Sequence, residues 1–307
     1  MVQDGPHRNR HSRTKMSSSY RDLFVTAGDG LRLYARDYAP GACALLPVIG
    51  LPGLARTSAD FHELAESISR DPARPRRFVS LDYRGRGRSE WDPDWRSYDV
   101  KVELNDTVQV LAAAGIAKAI FVGTSRGGLI AMAIGAAHPE LVAGAILNDV
   151  GPVLEAEGLK RIRSYVGKLP TPRTIDEAAD ILRRQSETQF PHYTREQWER
   201  MARGTWRETE DGLVLAYDPR LTKALEGLDL EAALPDLWPL FETLKLFPVL
   251  AIRGANSDLL SAETLRMMKE RHPDLTSITV PDQGHAPALE GDLVREIKDF
   301  IAKVDAG

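Results

Sequence analysis

Apolar residues along this chain alternate between short unbroken runs and longer stretches in which they recur with helical spacing. The runs predict strands over residues 23–26, 31–38, 46–49, 78–81, 119–122, 142–147, 249–252 and 277–280. Gly28-Asp29-Gly30 joins the first two as an antiparallel hairpin. Helical spacing marks residues 58–69, with Phe61, Leu64, Ala65 and Ile68 on one face. It also marks 98–114, 129–137, 262–271 and 289–304. Strand and helix alternate, which predicts an α/β fold with a mostly parallel sheet and helices on both faces.

The texture changes over residues 153–240, which are charged, helical and irregular, with no strong strand. This block holds Trp198, Trp206 and Trp238. It is expected to be a helical insertion into a core made of residues 19–152 and 241–307. Active sites of open α/β sheets lie at the carboxyl ends of the strands, so an insertion there would form a lid. Residues 1–18 carry Arg8, Arg10, Arg13 and Lys15 without an apolar stretch. They are expected to be a flexible N-terminal tail rather than a secretory signal.

Composition narrows the function classes. The 307 residues are 43% hydrophobic and 27% charged, as expected for a packed core. A net charge of -4 gives no reason to expect a nucleic-acid partner. No run approaches the roughly 18 apolar residues of a membrane helix, so no membrane partner is expected. Cys43 is the single cysteine, which excludes an internal disulfide and fits a cytoplasmic location.

The chemistry centres on Gly123-Thr124-Ser125-Arg126-Gly127, between a strand pattern and a helix pattern. A serine in a tight strand-to-helix turn has its hydroxyl forced out of the sheet, and flanking glycines avoid backbone collisions. The following helix aims its N-terminal amides at the same spot. Ser125 is therefore the candidate nucleophile.

A serine needs a base, and the base an orienting acid. Of the seven histidines, His285 lies in a loop directly after the last strand, in Asp282-Gln283-Gly284-His285. His7 and His11 fall in the tail, His62 on an early helix, and His192 in the insertion. His138 and His272 each precede a proline at a helix end. His285 is the candidate base. Asp258, in the loop after strand 249–252, gives the chain order serine, acid, histidine and is the favoured acid. Asp149, ending strand 142–147, is the alternative. The oxyanion donors are expected to be the amides of Arg126 and of Leu54, the latter in the loop Leu51-Pro52-Gly53-Leu54. The Arg126 side chain is a candidate clamp for a substrate carboxylate, and Trp198 and Trp206 are candidate pocket residues. Asp82-Tyr83-Arg84-Gly85-Arg86-Gly87-Arg88-Ser89 lacks the ending of a phosphate loop and reads as architectural, with Asp82 and Arg84 fixing it.

Taken together, the serine turn, the 82–89 segment, the Asp258 loop and Gly284-His285 resemble the α/β-hydrolase superfamily, in its lid-bearing serine esterase-like branch. The resemblance covers residues 20–304. It implies an eight-stranded, mostly parallel sheet, a lid inserted after the sixth strand, and no metal or organic cofactor. Pro52-Gly53 replaces the His-Gly pair that many relatives carry in the oxyanion loop. Relatives that open epoxides or remove halides use an aspartate where Ser125 stands, which disfavours those activities.

The expected activity is hydrolysis of a small or medium carboxylic ester or lactone through an acyl-enzyme. Alternatives on the same fold are carbon–carbon bond hydrolysis, amide or N-terminal prolyl peptide cleavage, and a non-catalytic ligand-binding receptor. Carbon–carbon cleavage would call for a pocket that binds an acidic substrate. The receptor reading would be favoured if Ser125→Ala kept the full biological effect.

Overall fold

The computed structural model describes residues 19–39, 44–210 and 212–306. The expected tail, with His7 and His11, and Cys43 lie outside them. The first six strands are β1 (Tyr20–Thr26), β2 (Arg32–Tyr38), β3 (Val48–Leu51), β4 (Phe78–Asp82), β5 (Ala119–Thr124) and β6 (Val142–Asn148). A two-stranded hairpin follows, β7 (Trp206–Thr209) and β8 (Gly212–Leu215), and then β9 (Val249–Gly254) and β10 (Leu275–Val280). The main sheet has eight strands in the order β1-β2-β4-β3-β5-β6-β9-β10. β2 is antiparallel to both β1 and β4, and the remaining neighbours are parallel.

Helices cover both faces because alternate strand residues point opposite ways. Ile120 and Val122 of β5 face α1 (His62–Ser69), while Ala119 and Phe121 face α2 (Val100–Ala113) and α3 (Arg126–Ala137). The inserted segment contributes α4 (Ala156–Tyr165), α5 (Ile175–Ser186), α6 (Arg195–Thr205), α7 (Thr222–Glu226) and α8 (Trp238–Glu242). The core closes with α9 (Ala262–Arg271) and α10 (Asp292–Ala306). α10 joins α1 on its face of the sheet by burying Leu293, Ile297, Phe300, Ile301 and Val304. Each such side chain is worth about 1.5–3 kcal/mol when fully buried.

Residues 153–240 leave the sheet after β6 and return at β9. Thr174 caps α5, and Thr194 with Gln197 forms a capping box on α6. The two helices pack through Ala178, Ala179 and Leu182 against Trp198 and Ala202. The β7–β8 hairpin corrects the expectation of a strandless insertion. Its sequence signal is Asp211-Gly212, with Gly212 at φ 118°. No helix among the described residues is long and apolar enough to cross a membrane.

Candidate active site

The loops that follow β3, β5, β6, β9 and β10 all leave the carboxyl edge of the sheet, and the site is assembled from them. At the end of β5 the chain turns directly into α3, and Ser125 sits at φ 51°, ψ -114°. A non-glycine residue there costs on the order of 1–3 kcal/mol and persists only when its surroundings dictate it. Here Ser125 N donates to Asn148 O at 3.0 Å, and Gly128 N donates to Ser125 O at 2.9 Å.

The glycines around the serine are steric necessities. A Cβ on Gly123 would lie 2.4 Å from Gly127 O, and one on Gly127 would lie 1.9 Å from Leu51 O. Gly127→Ala is therefore expected to destabilise the protein by about 3 kcal/mol or more, because backbone atoms cannot rotate out of the way. A urea titration reads this, and an unchanged midpoint would contradict it.

His285 reaches the serine from the loop after β10. Its Nε2 lies 2.9 Å from Ser125 Oγ, and its Nδ1 lies 2.8 Å from Asp149 Oδ2. With the proton on Nδ1, the ring donates to Asp149 and accepts from the serine hydroxyl. The loop is held from three sides. His285 N donates to Gln189 Oε1 at 2.8 Å, Ala288 N to Gln283 Oε1 at 2.8 Å, and Asn148 Nδ2 to Pro287 O at 2.9 Å.

The expected pairing of Asp258 with His285 is not what the geometry gives. Asp258 Oδ2 accepts from Arg161 Nε at 2.6 Å and Oδ1 from Arg161 Nη2 at 2.9 Å. Burial works to raise the Asp258 carboxyl, but the Arg161 hydrogen bonds and charge outweigh it, so it ends below its ordinary value. Asp149, the alternative acid, takes the place beside the ring. Its Oδ1 accepts from Gly254 N at 2.7 Å, and its Oδ2 also accepts from Ser257 Oγ at 2.5 Å. Asp149 itself adopts φ 57°, with its amide bonded to Ile252 O at 2.8 Å. The β9 loop thus supplies Ser257 to brace the acid and sends Asp258 outward to α4.

The two expected oxyanion donors are differently built. Arg126 is the first residue of α3, so its N–H has no acceptor within the helix. The Leu54 N–H belongs to the same peptide as Gly53 C=O, which accepts from Arg56 N at 3.2 Å. In a trans peptide the two groups point opposite ways, so this turn aims the Leu54 N–H away from the loop interior. Leu54 O is held in turn by Arg86 Nε at 2.8 Å.

Three expected pocket contacts are corrected. The Arg126 side chain turns away from the cavity, with Nε donating to Glu103 Oε2 at 2.7 Å and Nη2 to Tyr98 O at 3.1 Å. Trp198 and Trp206 are buried in the apolar core of the insertion and do not reach the cavity. The indoles fill the seam between α5, α6 and the hairpin, which is what large aromatics do in a small helical layer.

The cavity over Ser125 and His285 has a volume of about 530 Å³. Gly53 and Leu54 line it, together with Leu182, Phe190 and Tyr193 of the insertion. Sequence reasoning missed its arginines. Arg56 is clamped on Asp60 through Nε and Nη2, both at 2.7 Å, and also donates to Thr205 Oγ1 at 2.7 Å. Arg161 carries the Asp258 pair, and Arg200 binds Glu63 and Glu290. Arg56 was findable in principle, because it follows the oxyanion loop and precedes Asp60 by a helical i,i+4 spacing.

The 82–89 segment is architectural, as its glycines require. Asp82 accepts from Ser58 N at 2.6 Å and from Arg88 N at 2.8 Å. Gly87 N donates to Ala216 O at 2.6 Å, and Asp218 N to Gly85 O at 2.7 Å, which ties this loop to the insertion.

With a doubly wound sheet, a tight serine turn and a histidine loop in place, the class defined is that of an α/β hydrolase. The chain belongs to the Alpha/beta hydrolase family, whose sequence model matches residues 48–297. It is 37% identical over 244 residues to the 3-hydroxybutyrate-oligomer hydrolase of Cupriavidus necator, covering 77% of this chain and 81% of that one. It is 25% identical over 208 residues to the 2-(acetamidomethylene)succinate hydrolase of Mesorhizobium japonicum, covering 67% and 71%. A solved alpha/beta hydrolase from Novosphingobium aromaticivorans superposes with a TM-score of 0.85 at 36% identity, covering 93% of this chain and 99% of that one. The protein is a hydrolase.

Proposed function

We propose that this protein is a serine carboxylic-ester hydrolase acting on short linear esters, with oligoesters of hydroxy acids as the substrate class. Ser125 is the nucleophile, His285 the base, and Asp149 the acid that orients it. The observation that carries this reading is the unbroken chain Asp149–His285–Ser125, with links of 2.8 and 2.9 Å, opening onto a cavity of about 530 Å³.

In the proposed cycle, His285 Nε2 takes the hydroxyl proton as Ser125 Oγ bonds to the acyl carbon. The carbonyl oxygen becomes an oxyanion between the Leu54 and Arg126 amides. Collapse breaks the ester C–O bond, and His285 delivers the proton to the departing alkoxide. Water then attacks the acyl-enzyme, giving its proton to His285, and the carboxylic acid leaves as Ser125 recovers its hydrogen. Asp149 holds the ring tautomer and stabilises the imidazolium. The inserted segment acts as the lid, since its Phe190 and Tyr193 line the same cavity as Ser125 and His285.

Two observations support the substrate class. The relative at 37% identity is named for hydrolysis of 3-hydroxybutyrate oligomers. Of the cavity arginines, Arg56, Arg161, Arg200 and Arg203 pair with Asp60, Asp258, Glu63 with Glu290, and Glu208, while Arg36 lies over the Tyr20 ring. Most of that charge is answered inside the protein, which favours an uncharged ester body over a dicarboxylate. The test compares a 3-hydroxybutyrate trimer, its methyl ester and a dicarboxylic enol-type substrate. Turnover of the trimer is expected, with capping of its acid end changing kcat/KM by less than about tenfold, since exposed or pre-paired charges discriminate weakly. Activity confined to the dicarboxylate would overturn the ester assignment.

A further inference from the structure

We infer that Glu103 is a positioning residue for the oxyanion hole, coupling the two segments that carry its two amide donors. The inference rests on the serine-hydrolase reading above and on Leu54 and Arg126 as the donors.

The coupling is a continuous chain of side chains. Glu103 Oε2 accepts from Arg126 Nε at 2.7 Å, which fixes the first residue of the nucleophile helix. Glu103 Oε1 lies 2.7 Å from Arg86 Nη1. This second contact is an ion pair rather than an aligned hydrogen bond. Arg86 Nε then donates to Leu54 O at 2.8 Å, holding the loop after β3. Arg86 is locked further by donating to Arg84 O at 2.6 Å and by lying against the rings of Tyr83 and Tyr98, at 5.7 and 5.4 Å from their centroids. Tyr98 closes the circuit by accepting Arg126 Nη2 on its backbone oxygen. The two loops come from different strands, and this cluster bridges them behind the site.

Burial and charge make a purely structural role a poor explanation. Glu103 and Arg86 have fully buried side chains, and Arg126 is nearly buried. None of the three lines the cavity. A buried Arg–Glu–Arg cluster is seldom a net source of stability, because desolvating three charges offsets their attraction. What it supplies here is geometry. The donors' two segments are tied to one carboxylate. Fixed amides matter most when negative charge develops, and little when a neutral ester binds. Arg86, set in the Arg84-Gly85-Arg86-Gly87 stretch, thereby gains a role beyond shaping its own loop.

The test measures kcat, KM and the affinity of an alkylboronic acid for the wild type, Glu103→Gln, Arg126→Gln and Arg126→Lys. The boronic acid adds reversibly to a serine hydroxyl and places a tetrahedral oxygen in the hole. Glu103→Gln and Arg126→Gln are expected to lower kcat about 10–100-fold, less than outright loss of a donor. Boronate affinity should fall by the same factor, while KM stays within about threefold, the pattern of an interaction made only in the transition state. Arg126→Lys keeps a cation beside Glu103 and should recover part of the loss. If Glu103→Gln does not fold, Arg126→Gln carries the test, since its side chain lies nearer solvent. Folded variants whose kcat and boronate affinity match the wild type would overturn the inference, as would a change confined to KM. A wild type that neither turns over esters nor binds boronate would sink the serine-hydrolase reading and this inference together. An active wild type with indifferent variants sinks the inference alone.

Discussion

Ser125→Ala is expected to lower kcat toward p-nitrophenyl esters by about 10⁶-fold, the loss typical when a triad nucleophile is removed. The wild type should release a burst of p-nitrophenol equal to one equivalent of enzyme if acyl transfer outpaces deacylation, and the variant should release none. Alanine keeps the Cβ, so the backbone strain at φ 51° is unchanged and the melting temperature should barely move. Any residual rate should come from the oxyanion amides and substrate binding alone. The size of the effect follows from the geometry. Ser125 Oγ is 2.9 Å from the only cavity-lining histidine that also contacts a buried carboxylate, among the described residues. A variant that retained the burst would place the nucleophile elsewhere.

The sheet was legible because its strands are short apolar runs, and a parallel strand covered on both faces has no other way to read. The tight turn at Ser125 was legible for a related reason. Gly123 and Gly127 sit where any side chain strikes backbone, so the sequence has to carry the signature. The insertion was harder. Its hairpin was overlooked despite Asp211-Gly212, because charged residues at Arg207, Glu208 and Glu210 mask the strand alternation. Trp198 on α6 and Trp206 at the start of β7 could not be sorted between pocket and packing, since a thin helical layer needs large apolar residues for either. The acid was the sharpest ambiguity. Both Asp149 and Asp258 satisfy the order serine, acid, histidine, so chain order does not discriminate between them. The decision lies in tertiary contacts: Arg161 on α4 captures Asp258, while Gly254 N and Ser257 Oγ hold Asp149 beneath the imidazole. Neither set of partners is adjacent in sequence to the carboxylate it serves: Ser257 stands beside Asp258 in the chain yet bonds Asp149.

Asp149→Asn should separate these two carboxylates decisively, with kcat falling about 10⁴-fold, whereas Asp258→Asn should cost no more than about tenfold. An asparagine at 149 keeps the shape but offers no charge to the imidazolium that forms as Ser125 attacks. It also favours the wrong ring tautomer by presenting an amide N–H to His285 Nδ1. The nearly isosteric change leaves an acceptor oxygen for Gly254 N, which limits structural damage, and a thermal melt checks this. Asp258→Asn acts differently. It releases Arg161 from a pair that joins α4 to the β9 loop, so the cavity wall loosens while the ring keeps its partner. That change should appear chiefly in KM, and it leaves a cavity arginine without its carboxylate, so substrates with a free acid end should gain relative to their methyl esters. If Asp258→Asn instead produced the larger fall in kcat, the ring would have to leave Asp149 during turnover, and the acid assignment would revert to the β9 loop.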